Sequence, residues 1–311
     1  MLGTILIADH DTANLAFLSE KLLSQGFNVI TASDGPGALE QFASHDPDVV
    51  LLDVWLPGLN GIEVCRRMKS DTKHRLTPVA LMDGLSFESA ADRCFAAGAD
   101  EVFPKPISHP ESVAKLQALL RSKSYMDGQA ESVLMALGRT IESRDPYTEG
   151  HCERLADYAT RLGIELGLPQ DQIEALEVAG VLHDIGKVCL PDAILLKQGP
   201  LDAQELQIMR AHPVVGEKIC APLRCFRLIL PIIRHHHERM DGSGYPDGLT
   251  GNHIPLTARI LQTVDIYDAL TTNRPYRNGL EPREAIAVLQ EEAALGWRDP
   301  NLVATFERLV C

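Results

Sequence analysis

The 311-residue sequence predicts two domains, an α/β doubly wound domain with a five-stranded parallel sheet and then an all-α helical bundle. Short apolar runs alternate with amphipathic segments at first, whereas helical periodicity is almost unbroken from residue 130. The length also exceeds what one ordinary hydrophobic core holds. We therefore expect a first domain at residues 1–122, a linker at 123–129 and a second domain at 130–311.

Five β-α units make up the first domain. The apolar runs cover residues 5–8, 29–30, 49–52, 79–82 and 102–103, and the amphipathic segments lie near 13–25, 36–44, 61–69, 87–97 and 110–121. This alternation is typical of a parallel sheet with helices on both faces. In such sheets the ligand site lies at the carboxyl ends of the strands.

Acidic residues and one lysine follow the predicted strands of this sheet. They are Asp9, Asp11, Asp53, Asp83 and Lys105. A magnesium-assisted phosphoryl acceptor needs such a group, because the metal and the ammonium neutralise the transferred phosphoryl group. The sequence therefore predicts a phosphoryl-accepting pocket at this edge.

The first domain resembles the response regulator receiver domain. Asp53, followed by Trp-Leu-Pro-Gly at 55–58 and Asn-Gly at 60–61, is similar to the phosphoacceptor motif of that family, and Lys105 with Pro106 is similar to its Lys-Pro pair. The resemblance implies that Asp53 accepts phosphate, that Mg²⁺ binds beside it, and that a sensor histidine kinase is a partner.

Three positions depart from the receiver pattern. His10 stands where the family usually has a second acid, which removes one magnesium ligand unless Asp11 substitutes. Asp83 stands at the position of the switch Ser or Thr and would repel a phosphoryl group, and Val102 replaces the switch aromatic residue. Two alternatives stay open: phosphorylation at Asp53 with altered chemistry, or a receiver fold kept for pairing and domain contacts.

The second domain begins after a short polar stretch. Periodicity lapses at residues 122–128, yet a helix expected at 130–143 could also continue from the last receiver helix as one rod. Further helices are predicted near 150–166, 171–183, 202–211, 213–220, 226–238, 256–271, 281–294 and 299–309. Strand signals are nearly absent, which favours a helical bundle.

Histidines and aspartates recur along this bundle at intervals that allow most of them to come from different helices. They are His151, His183, Asp184, His212, His236, His237 and Asp265. An isolated His-Asp pair such as 183–184 is usually structural, but metal sites in bundle cores are built from donors on separate helices. Five imidazoles and two carboxylates suffice for two ions bridged by Asp184, with positions left for water. The donors suit iron, manganese, nickel or zinc better than magnesium or calcium.

The second domain resembles the HD-GYP family, cyclic di-GMP phosphodiesterases of the HD metallohydrolase superfamily. The matching motifs lie at 145–148 before 150–151, at 183–187 with 191–192, and at 209–213, 236–246, 265–270 and 274–277. One departure is Met240, which replaces a common Trp.

The resemblance also implies roles for the metal-ligand candidates. His183, Asp184 and Asp265 would hold one ion with His151 nearby or ligating, and His212, His236 and His237 would hold the second, with Asp184 bridging. Pro146 occupies the neighbourhood of the acid that holds a third metal in some members. We therefore expect two divalent transition-metal ions, with iron or manganese ahead of nickel or zinc.

Substrate contacts follow from the same resemblance. Lys187 and Arg274 would grip phosphate, with Arg277 in the same motif as Arg274, whereas Gly244, Tyr245 and Pro246 would form the loop beside a guanine pocket. Read without the family, that loop is a plain Gly-Pro turn. Asp184 and Lys187 are the expected catalytic residues.

The resemblance implies a cyclic di-GMP phosphodiesterase whose receiver regulates its activity. The expected first product is pGpG, with further cleavage to GMP left open, and the protein would form a homodimer. One alternative is a phosphodiesterase for another cyclic dinucleotide. The other is a weakly active regulatory module that recruits diguanylate cyclases.

Composition restricts the partners and the compartment. The formal charge of −14 and the lack of a basic stripe argue against a nucleic acid polymer as partner. Seven cysteines without a Cys-x-x-Cys pair indicate reduced thiols in a cytoplasmic protein. With no basic segment leading into an apolar run, and no apolar stretch near eighteen residues, we expect neither secretion nor membrane insertion.

Overall fold

The computed structural model describes residues 3–71, 75–84, 87–107, 110–144, 150–273 and 278–311. The chain divides into two compact units, Met1–Gly128 and Gln129–Cys311. Each unit has its own hydrophobic core.

The first unit is a five-stranded parallel sheet in the order β2-β1-β3-β4-β5, which confirms the predicted fold class. Its strands are β1 (Thr4–Ala8), β2 (Asn28–Ala32), β3 (Val49–Asp53), β4 (Val79–Asp83) and β5 (Glu101–Pro104). The helices between them are α1 (Thr12–Ser24), α2 (Gly35–His45), α3 (Gly61–Ser70) and α4 (Phe87–Ala96).

The period of two along the strands explains why the sheet carries helices on both faces. Leu6 and Ala8 of β1 belong to the cluster that includes buried residues of α2, α3 and α4. Ile5 and Ile7 belong to the opposite cluster, with buried residues of α1 and of the helix after β5. All five residues of β3 are buried, as expected for a central parallel strand.

Helix α5 (Pro110–Arg144) includes residues 123–129, the stretch that we predicted as a linker. The polar composition of this stretch lowers its periodicity but supplies helical contacts, since Lys123 Nζ lies 2.7 Å from Asp127 Oδ2, one turn later. Gly128 alone costs a helix only about 1 kcal/mol. The continuous helix that we considered as an alternative is therefore the observed conformation.

The second unit is helical throughout its described residues apart from turns and one isolated bridge between Asp241 and Thr250. After α5 come α6 (His151–Glu165), α7 (Gln170–Leu182), α8 (Asp192–Leu195), α9 (Ala203–Met209), α10 (His212–Cys220), α11 (Leu230–His235), α12 (Leu256–Thr271), α13 (Pro282–Ala294) and α14 (Pro300–Val310). Short 3₁₀ turns cover Ile185–Cys189, Arg224–Phe226 and Gly251–His253.

Apolar residues at helical spacing form the core of this unit. Along α6 the residues Cys152, Leu155, Ala159 and Leu162 are buried, at intervals of three or four. Helices α7, α11, α12, α13 and α14 add buried residues to the same cluster. Among the described helices, none has the length and apolar composition needed to cross a bilayer.

Helix α11 is shorter than the segment 226–238 that we predicted. Pro231 lies in its first turn, where a missing N–H is tolerated, and the residues before it form turns. The helix ends at His235, and His236 follows as its C-cap with φ −66° and ψ −10°.

Candidate metal centre

All seven predicted metal ligands come together in the second unit, and most lie at helix ends. His151 and His212 are the first residues of α6 and α10, whereas His183 and His236 directly follow α7 and α11. Asp265 lies within α12. Helix termini and the residues next to them thus supply most of the donors, while the helix bodies pack in the core.

One close approach fixes part of this arrangement. A Cβ on Gly186 would lie only 1.9 Å from the carbonyl oxygen of His212, so the turn after Asp184 packs directly on α10. Any larger residue at position 186 would push His212 away from Asp184. This explains why glycine follows the His-Asp pair by two residues.

The first ligand group consists of Asp184, His212, His236 and His237, whose donor atoms all lie within 4.8 Å of one another. His212 Nε2 is 3.1 Å from Asp184 Oδ1 and 3.4 Å from His236 Nε2. These separations are close to those of donors around a single ion.

The second ligand group consists of His151, His183 and Asp265. His151 Nε2 lies 3.5 Å from Asp265 Oδ1. His183 Nε2 lies 3.3 Å from Asp184 Oδ2, the oxygen opposite the one that approaches His212. Asp184 therefore lies between the two groups, with one carboxylate oxygen toward each.

The orientation of the imidazoles suits metal binding. His183, His212 and His236 each place Nδ1 against a backbone carbonyl three residues earlier. The acceptors are the carbonyl oxygens of Gly180, Met209 and Ile233, at 3.1, 2.8 and 2.7 Å. Because a carbonyl can only accept, Nδ1 carries the proton and Nε2 of the neutral ring presents its lone pair to the group.

Two buried polar atoms support the fit to cations. Within the described residues, His183 Nε2 and Asp184 Oδ1 are buried without a hydrogen-bond partner. Buried polar atoms are normally paired, since an unpaired one costs about 1–3 kcal/mol. A pair of divalent ions would use both atoms.

The pKa shifts favour the ligand protonation states of His236, His237 and Asp184, whereas the neighbouring Asp184 carboxylate outweighs burial and raises the pKa of His183. Burial, and then the charge of neighbouring imidazoles, lowers the pKa of His236 and His237 well below the usual value. Burial opposes ionisation of Asp184, but Lys187 and His183 outweigh it and hold that pKa well below its usual range. Neutral His236 and His237 beside an ionised Asp184 are the forms that bind metal.

Asp268 is a buried carboxylate that we did not predict from the sequence. His151 Nδ1 donates to its Oδ2 at 2.7 Å, and Arg154 Nε donates to its Oδ1 at 2.5 Å. Asp268 thereby holds His151 with Nε2 toward Asp265. The spacing of three residues between Asp265 and Asp268 was a signal for it, because it puts both on one face of a helix.

A cavity of about 200 Å³ adjoins the first ligand group. His236, His237 and Asp265 line it together with Gly244 and Tyr245 of the predicted loop. Pro246, which we predicted with them, lies outside the described lining of this cavity. Three arginines that we did not predict also line it: Arg210, Arg239 and Arg298.

Aromatic rings position part of this lining. The Tyr245 ring stacks on that of His237, with centroids 4.7 Å apart and planes at 24°. The Arg210 guanidinium lies 5.2 Å from the Tyr245 ring centroid, and that of Arg239 lies 4.1 Å from the Trp297 centroid. These contacts orient cations beside the metal-ligand group.

Glu238 holds the predicted loop in place. Its buried carboxylate accepts the backbone N–H groups of Asp247 at 2.7 Å and Leu249 at 3.0 Å. A Cβ on Gly244 would lie 2.3 Å from the backbone nitrogen of Arg239, so only glycine fits where the loop folds back. The sequence predicted a turn at this loop, but it did not predict that the Glu238 carboxylate would hold the turn in place.

Other predicted residues lie elsewhere. Lys187 lines a smaller cavity with His151, His183 and Asp184, and its Nζ lies 2.5 Å from Asp184 Oδ2. Arg274 and Arg277, predicted to contact substrate, lie outside the described residues, as does Pro146.

The receiver unit contains a separate group of charged side chains. Lys105 Nζ lies 2.8 Å from Asp9 Oδ2 and 3.0 Å from Asp53 Oδ2, and both carboxylates are buried. Asp83 ends β4 and is buried too. Asp11, which could have replaced the missing acid, instead caps α1 by accepting the N–H of Ala13.

Two family models match the chain, an HD domain at residues 136–302 and a response regulator receiver domain at residues 5–117. "Cyclic di-GMP phosphodiesterase response regulator RpfG" of Xanthomonas campestris pv. campestris is 34% identical over 78% of this chain and 70% of its own length. "Cyclic di-GMP phosphodiesterase" of Thermotoga maritima is 32% identical over 98% and 90%. "3'3'-cGAMP-specific phosphodiesterase 3" of Vibrio cholerae is 38% identical over 61% and 44%.

An HD domain implies the binding of divalent metal ions, for which the two ligand groups are suitable. The matches together span both units described above. The chain therefore belongs to the HD domain family as a response regulator hydrolase, with an N-terminal receiver domain.

Proposed function

We propose that this protein hydrolyses a 3′-5′ phosphodiester bond of cyclic di-GMP, giving pGpG, with GMP as the alternative end product, under the control of its receiver domain. The observation that carries the proposal is Asp184, which lies between two ligand groups with one oxygen toward each. The relatives from Xanthomonas and Thermotoga, both named as cyclic di-GMP phosphodiesterases, indicate the substrate.

We assign one ion to His151, His183 and Asp265 and the other to His212, His236 and His237, with Asp184 shared. Iron or manganese is the expected metal, ahead of nickel or zinc. When bound, two such ions supply a water of lowered pKa and offset negative charge on the phosphoryl group.

The side chains of the chain itself position the substrate. Arg210 and Arg239 face the cavity beside the first group, and a guanidinium can bind a phosphate through two parallel N–H donors. The arginines also offset the charge of an anionic substrate, which the net charge of −14 would otherwise repel. Tyr245, held by His237, shapes the wall of the cavity.

Lys187 acts on the opposite side of Asp184. Its ammonium lies 2.5 Å from Asp184 Oδ2, where it can stabilise charge that develops on the leaving oxygen or give that oxygen a proton. Arg274 and Arg277 stay proposed substrate contacts on the basis of their motif.

A second candidate substrate is a hybrid cyclic dinucleotide. The Vibrio cholerae relative named for 3'3'-cGAMP is 38% identical to this chain over 203 residues. Both candidates need the same metal chemistry and differ only in base recognition.

The experiment is product chromatography after incubation of manganese- or iron-loaded protein with cyclic di-GMP and 3'3'-cGAMP in separate reactions. We expect pGpG from cyclic di-GMP and slower conversion of the hybrid. Exclusive turnover of the hybrid would replace the substrate. Turnover of neither would favour the regulatory module that recruits diguanylate cyclases.

The receiver is proposed to take its phosphate on Asp53 from a sensor histidine kinase, and the protein is proposed to act as a homodimer. Purified protein should gain one phosphate by intact mass after incubation with acetyl phosphate and Mg²⁺. An unchanged mass would favour a receiver kept for pairing and domain contacts.

A further inference from the structure

His10 does more than replace an acid in the receiver pocket. Its Nδ1 lies 2.6 Å from Asp53 Oδ2 and 3.7 Å from Asp9 Oδ1, and the three donor atoms lie within 4.8 Å of one another. We propose that Asp9, His10 and Asp53 form a binding site for a divalent transition-metal ion in place of Mg²⁺.

The separations between these donors suit a small ion. Donors about 2.0–2.1 Å from a tetrahedral zinc ion are separated from one another by roughly 3.3 Å. The two distances from His10 Nδ1 lie on either side of that value, so shifts below about 1 Å would place all three donors around one ion. The His10 side chain is 52% exposed, which gives it room to move and leaves the pocket open to ions.

The donor types decide which ion is preferred. Mg²⁺ requires oxygen ligands in near-octahedral geometry, whereas imidazole is a good ligand for zinc, iron and nickel. Asp11 does not restore an oxygen ligand, because its side chain accepts the N–H of Ala13 at 2.9 Å and caps α1. The pocket therefore offers one nitrogen and two carboxylates.

The carboxylates are held in position for this role. Asp9 accepts the backbone N–H of Asp11 through Oδ1 at 2.9 Å and binds Lys105 through Oδ2 at 2.8 Å. Asp53 accepts the backbone N–H of Trp55 through Oδ1 at 3.2 Å, and its Oδ2 lies between His10 Nδ1 at 2.6 Å and Lys105 Nζ at 3.0 Å. Two carboxylates beside one ammonium leave a net negative charge that a cation would neutralise.

An ion at this position would use the same Asp53 carboxylate that is proposed as phosphoacceptor. The metal that fills the pocket would then decide whether the receiver is competent for phosphoryl transfer. This inference concerns the receiver alone and stands whether or not the HD domain cleaves cyclic di-GMP.

The test is elemental analysis of the full chain after equilibration with Zn²⁺ and gel filtration in excess Mg²⁺. We compare the wild type with His10→Ala, His10→Asp and His45→Ala, the last removing an exposed histidine of the same unit. The ligand groups of the HD domain are unchanged in all four proteins and cancel in the comparison. We expect His10→Ala and His10→Asp to hold one zinc ion fewer than the wild type, and His45→Ala to match the wild type.

A second readout is local to the pocket. Trp55 follows Asp53 by two residues and is exposed, so its fluorescence should change as Zn²⁺ binds to the wild type and stay constant in His10→Ala. A Trp55→Phe variant identifies the signal, because Trp297 remains in every protein. Equal zinc content in wild type and His10→Ala would overturn the proposal. So would an equal loss in His45→Ala, which would mean adventitious binding to surface histidines.

Discussion

Both units of this protein bring imidazole and carboxylate groups together, but they orient the imidazole side chains differently. In the HD domain, His183, His212 and His236 donate Nδ1 to carbonyls three residues earlier and turn Nε2 toward the ligand groups. In the receiver, His10 is half exposed and points Nδ1 itself at Asp53. The first arrangement is held by helix ends, whereas the second depends on one residue in a pocket otherwise made for oxygen ligands.

The largest effect is expected from removing the Asp184 carboxylate, which lies between the two ligand groups of the HD domain. Asp184→Asn keeps the shape but removes the charge between them, so we expect kcat to fall roughly 10²–10³-fold and the bound metal to decrease. Chromatographic assay with cyclic di-GMP and elemental analysis would measure both. Asp157→Asn, an exposed carboxylate on α6, is the matched control and should behave as wild type. Wild-type turnover by Asp184→Asn would contradict the bridging role.

A substitution at Asp268 tests whether the orientation of the His151 imidazole matters for metal binding. Asp268→Ala leaves His151 without its Nδ1 acceptor, and we expect metal affinity or activity to fall about 10–100-fold. Asp268→Asn, which keeps an oxygen acceptor, should recover part of the loss. Competition with a chelator measures the affinity, and thermal unfolding separates this loss from a loss of fold. Equal effects of the two substitutions would mean that Asp268 acts mainly through Arg154.

A substitution at Gly186 tests the close packing of the turn after Asp184 against α10. In Gly186→Ala the new methyl group would meet the carbonyl oxygen of His212, so we expect the free energy of unfolding to fall by about 1–3 kcal/mol. Urea denaturation measures the change. Gly199→Ala is the control, because a Cβ there meets nothing within 4 Å. Equal stability of both variants would show that the turn can move away from α10.

A substitution at Arg210 tests whether the cavity binds phosphate through the two parallel N–H donors of a guanidinium group. Arg210→Lys keeps the charge but loses the parallel donors, and we expect KM for cyclic di-GMP to rise roughly tenfold with little change in kcat. Arg308→Lys on α14 serves as control. A fall in kcat without a rise in KM would instead put Arg210 among the groups that act in the transition state.

The smallest expected effect concerns the receiver. His10→Asp restores a second acid, so we expect acetyl phosphate with Mg²⁺ to phosphorylate this variant several-fold faster than the wild type. Intact mass measures the rate, and Asp53→Asn should take up no phosphate. Slower phosphorylation of His10→Asp would show that the imidazole assists the reaction.

The sequence was sufficient to predict the fold class of both units, because the β-α alternation and the helical periodicity are both local patterns. The seven metal-ligand candidates stay predictions, and the structure places their donor atoms in two groups, with His183 and Asp184 directly after one helix and His212 at the start of another. Asp268 and Glu238 were not predicted: the spacing from Asp265 put Asp268 on the same helix face, but the role of both residues comes from tertiary hydrogen bonds. The arginines of the cavity escaped notice for the same reason.

Residues 123–129, which we predicted as a linker, are helical for a reason that composition alone does not show. Their polar composition suggested an interruption, yet polar residues with an i,i+4 ion pair are compatible with a helix that has no apolar stripe. His10 was interpreted as a lost magnesium ligand, because the sequence predicts the pocket but not that His10 Nδ1 lies 2.6 Å from Asp53 Oδ2.

The most direct test of the two-ion arrangement is an anomalous difference map from crystals of the protein loaded with manganese or iron. We predict two peaks separated by the Asp184 carboxylate, one contacted by His151, His183 and Asp265 and the other by His212, His236 and His237. A single peak, or peaks that do not touch Asp184, would contradict the account.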